Sequence, residues 1–388
     1  MPFLLKIQTS LNTRVVIVVN ANNQIAEVRG VAKDEHLDSY IGEVVDGKLS
    51  EPEFEKEGRA WKKKSQDMKK LTEIEQKSKS GLKLSQDELI FLYEIDSSIE
   101  GFGYGDDPRV KELRFQRKPE EDMLIIFGSE PDQIAGSAGG ITANTRAYVG
   151  PLEKGIFDKF EQFGIEHIYT SFPEGKIRRE TVEIGGTDFK QIAQELEDKL
   201  NIIDTLTWEK TGEILKQVEG GSVQISAETT QFLRQLFERQ INVSGYALDM
   251  LKNSEFTTSP TPINIDTVRL KISALDLKGT PTTDQVYARA NELGLDLCPA
   301  EVGPHKRFKD TNEPMGDWEY IAMKQMTDRG GHLDVFVLGR DGRGLWLAGR
   351  WADPDHGWPP EDEIVFRLRK SETQPLKPSG FFSRFLSR

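Results

Sequence analysis

The pattern of apolar and polar positions in the first 80 residues predicts a strand pair followed by a long helix. The β-branched run 14–20 and the segment 25–28 flank a polar turn at 21–24, so residues 3–30 are expected to form two paired strands. The segment 51–80 is highly charged, and its widely spaced apolar residues are Phe54, Trp61, Met68 and Leu71. Such a narrow stripe is typical of a long helix that packs on its own domain or pairs with a partner.

Further helices follow before residue 128. Ser85 and Glu88 have the spacing of a capping box, which predicts a helix over 85–99. Asp107-Pro108 predicts a second helix through Gln116, because proline is favoured in the first helical turn. The apolar run 123–127 predicts a buried strand, and the Gly-, Ser- and Ala-rich stretch 128–140 predicts a domain boundary.

The middle of the chain alternates between helical and strand patterns. It predicts helices at 152–163, 187–200, 205–218 and 227–240, a short helix after Ser244, and strands at 167–171 and 180–184. The stretch 257–262 contains two prolines among hydroxyl residues and predicts a linker.

A β-rich pattern dominates after this linker. It predicts a strand at 267–272, a helix at 281–293 with Thr280 as its cap and Gly294 as its end, and strands at 320–323, 335–338, 345–347 and 364–368. Asp341-Gly342 is a strong hairpin signal between two of these strands. We therefore expect an α+β protein with domains at 1–128, 141–256 and 263–370 and a tail at 371–388. The third domain is expected to be a small antiparallel sheet or partial barrel.

Composition narrows the class of protein. The 388 residues include 37% hydrophobic and 30% charged residues, enough apolar content for two or three folded domains. A net charge of -13 disfavours nucleic acid and anionic membranes as partners. A single cysteine excludes an intrachain disulfide, and no stretch has the roughly 20 apolar residues of a membrane helix. We expect a soluble, cytoplasmic protein, and no cofactor is expected because no cofactor-binding loop is present.

Four sequence strings resemble segments of uncharacterised bacterial proteins. They are Tyr148-Val-Gly-Pro151, Glu166-His-Ile-Tyr-Thr-Ser-Phe-Pro-Glu-Gly175, Val243-Ser-Gly-Tyr-Ala-Leu-Asp-Met-Leu251 and Leu297-Cys-Pro-Ala-Glu-Val-Gly-Pro304. The resemblance implies a C-terminal module, from about residue 241 to 370, that recurs behind different N-terminal regions. It implies no established activity, although such reuse hints at binding or assembly. In these proteins an apolar-basic run often follows Gly303-Pro304, whereas this chain has His305-Lys-Arg-Phe308.

Aromatic and arginine residues cluster in this module and form our main candidate site. Placed on one sheet face and exposed to water, they would suit stacking against a ligand or partner, whereas buried they would form a core. The candidate ligand-binding residues are Trp318, Trp346, Trp351, Trp358, Arg340, Arg343 and Arg350.

Two catalytic alternatives use other residues of the module. His332, Asp334, Asp353 and His356 could bind a divalent metal for hydrolysis, although their spacing matches no zinc motif. Cys298 could act as a nucleophile only with a base such as His305 in reach, and a lone cysteine before proline more often packs in a core.

The tail carries the last candidate site. After a proline-containing linker, Phe381, Phe382, Phe385 and Leu386 recur at helical spacing opposite Arg384 and Arg388. This predicts a short docking helix for a groove on this chain, a partner or a membrane surface. The sequence favours a non-catalytic binding protein with a protein partner, acting through its C-terminal β module and tail.

Overall fold

The computed structural model describes the backbone of residues 3–8, 14–19, 25–31 and 55–60, and residues 61–102, 107–311 and 313–369 with their side chains. The chain divides into two compact units, Met1–Gly128 and Ser129–Arg388. Both helices and sheets are present, and the predicted α+β class is confirmed. No helix among the described residues is long and apolar enough to cross a membrane.

The first unit begins with an antiparallel sheet of three strands rather than the expected two. Its strands are β1 (Phe3–Gln8), β2 (Arg14–Val19) and β3 (Ile25–Val31), in the order β1-β2-β3. The predicted long helix is α1 (Glu55–Lys79). Along its stripe Leu71 is fully buried, Trp61 and Met68 are half-buried, and Phe54 lies outside the described residues.

Three shorter helices follow among the described residues of this unit: α2 (Gln86–Leu92), α3 (Pro108–Phe115) and α4 (Pro119–Phe127). The capping box of Ser85 and Glu88 is present, but α2 ends at Leu92 instead of reaching residue 99, because Glu94 adopts a left-handed conformation with φ 53°. The strand predicted at 123–127 is wrong. Those residues belong to α4, which starts with a proline and stops at left-handed Gly128.

The second unit holds the remaining elements. The helices are α5 (Ile156–Phe163), α6 (Phe189–Leu200), α7 (Trp208–Glu219), α8 (Ala227–Glu238), α9 (Gly245–Lys252), α10 (Thr283–Leu293) and α11 (Val302–Lys309). The strands are β4 (Ile134–Ala135), β5 (Ala147–Val149), β6 (His167–Tyr169), β7 (Arg178–Ile184), β8 (Ile241–Val243), β9 (Ile263–Lys271), β10 (Leu295–Asp296), β11 (Trp318–Ile321), β12 (Met326–Thr327), β13 (Leu333–Asp341), β14 (Gly344–Trp351) and β15 (Glu363–Leu368).

The central feature of this unit is a nine-stranded mixed sheet, not a small antiparallel sheet or partial barrel. Its main path is β7-β9-β15-β11-β13-β14-β8, with β10 paired to β15 and β12 paired to β13. The pairs β11–β15 and β8–β14 are parallel. Because β7 and β8 precede residues 257–262 in the chain, strands from both predicted domains share one sheet. The boundary predicted there lies inside one compact unit.

Most predictions from local sequence patterns in the β-rich part agree with the structure. The hairpin at Asp341-Gly342 joins β13 to β14, whose register pairs Asp341 with Gly344. Gly294 ends α10 in a left-handed conformation, as predicted, but the cap is Thr282, which forms a capping box with Gln285, instead of Thr280. The run after Gly303-Pro304 is helical, within α11.

Register and alternation define two faces of the sheet around β13 and β14. Trp318 pairs with Gly339, which pairs with Trp346, so the two indoles lie on one face, with Arg350 two pairs further along. We call this the Trp346 face. The opposite face, which we call the α11 face, carries Phe336, against which Gly303 of α11 packs.

A buried carboxylate anchors the start of α8. Glu195 accepts the Ser226 backbone N–H at 3.1 Å on both oxygens, and the hydroxyls of Ser226 and Thr229 at 2.6 Å each. Burial alone raises the pKa of Glu195, but hydrogen bonds from Lys199 and these two residues outweigh it and lower the pKa to about 2. The carboxylate is therefore an ionised cap that ties α6 to α8.

Three hydrogen bonds involve backbone groups of β7 or of the residues just before and after it. The Ile177 N–H donates to the Ile168 carbonyl, the Lys309 ammonium donates to the Thr181 carbonyl, and the Gly185 N–H donates to His305 Nε2 at 3.0 Å. Side chains from α11 thus bind one backbone carbonyl of β7 and the N–H of the residue that follows the strand.

Candidate functional site

The two indoles of the Trp346 face are held in place by the strands beneath them. A Cβ at Gly339 would lie only 2.2 Å from the Trp318 ring, so the glycine makes room for that indole. The Trp346 indole N–H donates to Asp341 Oδ1 at 2.7 Å, and the same oxygen accepts the Arg343 backbone N–H. Both indoles are half-buried, which leaves part of each ring open to solvent.

Around these indoles the Trp346 face consists of strand side chains, and no helix is packed over it among the helices that contact β13 and β14. The helices that pack along β13 and β14 are α9 and α11, and both lie on the α11 face. On the same face Val335 and Val337 are buried, while Ala348 is half-buried and Arg350 is exposed. The result is an aromatic surface with one exposed guanidinium at its end.

Arg350 has electrostatic neighbours of both kinds. Its guanidinium lies near Tyr320, His356 and Asp362. Burial lowers the pKa of His356, and the positive charge of Arg350 lowers it further. Burial raises the pKa of Asp362, although Arg350 opposes this. The guanidinium is exposed and can donate hydrogen bonds to a carboxylate of a partner.

The remaining residues of the predicted aromatic-arginine site lie elsewhere. Trp358 is 1% exposed, donates from its indole N–H to Thr283 Oγ1 at 3.0 Å, and belongs to the core. Trp351 and Arg340 are on the α11 face by strand alternation. Arg343 is exposed in the hairpin turn.

All four predicted metal ligands lie in one region around Asp353, but without metal-binding geometry. Asp353 accepts the Leu333 backbone N–H, and Asp334 lies close enough to His332 and Asp353 for their charges to affect its pKa. His356 lies beside Trp358, with ring centroids 5.1 Å apart. Across the described residues no group of three or more His, Cys, Asp or Glu side chains could hold a metal ion.

Asp334 is the most perturbed acid in this group. It is 1% exposed, and its Oδ1 atom has no hydrogen-bond partner. Burial, helped by the nearby Asp328 carboxylate, raises its pKa to about 7. Near neutral pH this carboxyl is therefore poised between its protonated and ionised forms.

Cys298 and His305 have separate environments. The Cys298 thiol lies 3.6 Å from the Val365 carbonyl, and burial raises its pKa to about 12. Burial lowers the pKa of His305 to about 4, so its neutral ring accepts from Gly185 at Nε2. Neither group is prepared as a nucleophile or base for the other.

Sequence reasoning missed a charged cavity of about 80 Å³ between β7, β9, β11 and α11. Within it Glu319, only 1% exposed, lies 3.0 Å from the Lys306 ammonium and 3.3 Å from Arg269. The lining residues are Arg178, Glu180, Thr267, Arg269, Lys306, Asp310, Glu319 and Val365. Alternating charges in β7 are visible in the sequence, but their pairing requires the register of three strands. Cations and carboxylates balance here, so we interpret the cavity as a structural ion network.

Searches among known proteins add nothing to this picture: no protein-family profile matches the chain, and no curated protein or solved structure matches it significantly. The fold and site define an α+β protein with a mixed sheet and an aromatic face.

The predicted tail residues Phe381, Phe382, Phe385 and Leu386 lie outside the described residues.

Proposed function

We propose that this chain is a non-catalytic cytoplasmic protein that binds a protein partner through its Trp346 face. The observation that carries the proposal is an aromatic surface formed by Trp318 of β11 and Trp346 of β14, on the side of the sheet opposite the helices packed on β13 and β14. Tryptophan, tyrosine and arginine are the side chains that contribute most binding energy at protein interfaces.

The chemistry of the face suggests what the partner presents. Half-exposed Trp318 and Trp346 offer flat apolar area, and the hydrogen bond from Trp346 to Asp341 limits the side-chain entropy lost on binding. Exposed Arg350 suits a carboxylate. We therefore propose a partner segment with an apolar side chain next to an aspartate or glutamate.

Site-specific photo-crosslinking in the intact chain tests this proposal. A benzophenone amino acid replaces Ala348, which lies on the Trp346 face between Trp346 and Arg350, and the protein is irradiated in lysate of the source organism. A defined adduct with another protein is expected. Trp346→Ala is expected to reduce its yield by about tenfold, the effect of losing one central aromatic anchor.

The same probe at exposed Arg234 of α8 is the matched control and should give no such adduct. Arg350→Glu should also weaken the adduct, because it replaces the group proposed to pair with a carboxylate. Adducts that are the same at positions 348 and 234, or that survive both substitutions, would refute the proposal.

A further inference from the structure

A second aromatic surface lies on the α11 face, at the end of β14. Trp351 is 53% exposed and stacks on His332, with ring centroids 4.8 Å apart. Tyr246 is 52% exposed, and its Cβ lies over Gly349, two residues before Trp351 on the same strand face. Ile203 is also exposed and adjoins Gly245 at the start of α9. We call Ile203, Tyr246, His332 and Trp351 the Trp351 patch.

Carboxylates surround this patch. Asp328 lies beneath His332, with its Oδ2 3.4 Å from Nδ1, and Asp353 accepts the Leu333 N–H. Arg329 bonds Asp249 and the Ile203 carbonyl at the rim. The acidic side chains of this region are Glu197, Asp204, Asp249, Asp328 and Asp353, against the cations Lys252 and Arg329. The patch is therefore apolar at its centre and negative at its rim.

The chain itself contains a segment with the complementary character. From Lys377 to Arg388 it has three cations and no acidic residue, and Phe381, Phe382, Phe385 and Leu386 supply an apolar face at helical spacing. An aromatic, basic segment fits an aromatic surface with an acidic rim, through apolar burial and charge attraction.

Strand topology places the start of this segment and the patch towards the same end of the sheet. β15 is parallel to β11, and β13 is antiparallel to both β11 and β14, so β14 and β15 run in the same direction. The segment follows the carboxyl end of β15, and Trp351 is the last residue of β14. The twelve residues from 370 to 381 can span up to about 40 Å, so length does not prevent contact.

We propose that residues 381–388 of the chain dock on the Trp351 patch of the same molecule. This contact goes beyond the partner contact on the Trp346 face and lies on the opposite side of the sheet. The short linker gives the segment a high effective concentration at the patch, so a weak contact is sufficient to keep the patch occupied.

Photo-crosslinking of the purified full chain tests the contact without any partner. A benzophenone amino acid replaces Phe385, and mass spectrometry maps the adduct. The expected product is an intramolecular adduct to a peptide containing Tyr246, His332 or Trp351. Trp351→Ser is expected to lower its yield by about tenfold, whereas Met315→Ser, at another exposed apolar side chain, leaves it unchanged. Raising the salt should also lower the yield, because the attraction to the acidic rim is screened.

Three results would overturn the inference. Adducts elsewhere or none at all would exclude the patch as the docking surface. Adducts of mixed mass after mixing ¹⁵N-labelled and unlabelled protein would identify a second copy as the occupant. Replacement of the intramolecular adduct by a lipid adduct when phosphatidylserine vesicles are added would identify a membrane surface as the site of docking. Because no partner protein is present, none of these results depends on the Trp346 face.

Discussion

Asp334→Asn is the perturbation that most directly tests the electrostatics of this fold. The Asp334 carboxyl is 1% exposed with one oxygen lacking a hydrogen-bond partner, and its pKa is raised from 3.8 to about 7 in the folded protein. Between these two values the folded chain retains a proton that the unfolded chain has lost. The contribution of this carboxyl to the free energy of unfolding is therefore complete below about pH 4 and is lost as the pH rises towards 7.

The size of the effect follows from the same shift. Each pH unit in this window should reduce the free energy of unfolding by about 1.4 kcal/mol, and the total reaches about 4 kcal/mol as an upper limit. Asparagine resembles the protonated carboxyl and does not titrate. We therefore expect Asp334→Asn to match the wild type near pH 4 and to be more stable than the wild type by about 2–4 kcal/mol at pH 8.

Urea unfolding at several pH values measures this difference. Five of the six tryptophans lie after residue 129, so indole fluorescence reports mainly on the second unit. Other titrating groups, such as His305, affect both proteins alike and cancel in the difference. Asp355→Asn, in an exposed turn, should keep the wild-type pH dependence. A stability difference between wild type and Asp334→Asn that stays constant from pH 5 to 8 would refute the reasoning.

Three further substitutions test other parts of the structure. Gly339→Ala places a Cβ 2.2 Å from the Trp318 ring and should destabilise the protein by about 1–3 kcal/mol, with a changed near-UV circular dichroism spectrum; an unchanged spectrum would contradict this packing. Glu195→Gln removes an ionised cap whose pKa is lowered to about 2, so urea unfolding at pH 7 should show a free energy of unfolding lower by about 2–3 kcal/mol. This loss should shrink as the pH falls below 4, and equal losses at pH 3 and pH 7 would contradict the ionised cap. Arg307→Met leaves buried Glu313 without its 2.7 Å ion-pair partner and should cost about 3–5 kcal/mol in chemical denaturation, whereas a neutral result would show that the pair contributes nothing.

Local sequence signals predicted the elements better than their assembly. The capping box at Ser85, the left-handed end at Gly294 and the hairpin at Asp341-Gly342 depend on neighbouring residues only, and all three are present. Residues 123–127 were assigned to a strand because a short apolar run has no period that separates strand from buried helix. The parallel pair β8–β14 joins residues about a hundred positions apart, and no local pattern encodes such a pairing.

The candidate site could also be predicted only as far as local strand alternation allows. Trp346 and Arg350 differ by four positions in one strand, so alternation alone puts them on one face, and it puts Trp351 on the other. That Trp318 and Trp346 lie on one face, on either side of Gly339, requires the register between β11, β13 and β14. The burial of Trp358 depends on its contacts with Thr283 and Tyr320, which come from distant parts of the chain.

The contacts between α11 and β7 also bear on how this protein behaves in acid. A foreign strand that adds to the sheet along β7 would compete with the Lys309 contact to Thr181 and the His305 contact to Gly185. Below about pH 4 the imidazole of His305 takes up a proton at the nitrogen that accepts the Gly185 N–H, and this hydrogen bond is lost. Acidification thus removes one contact between α11 and the end of β7, and we expect intermolecular β-pairing at this edge to become easier.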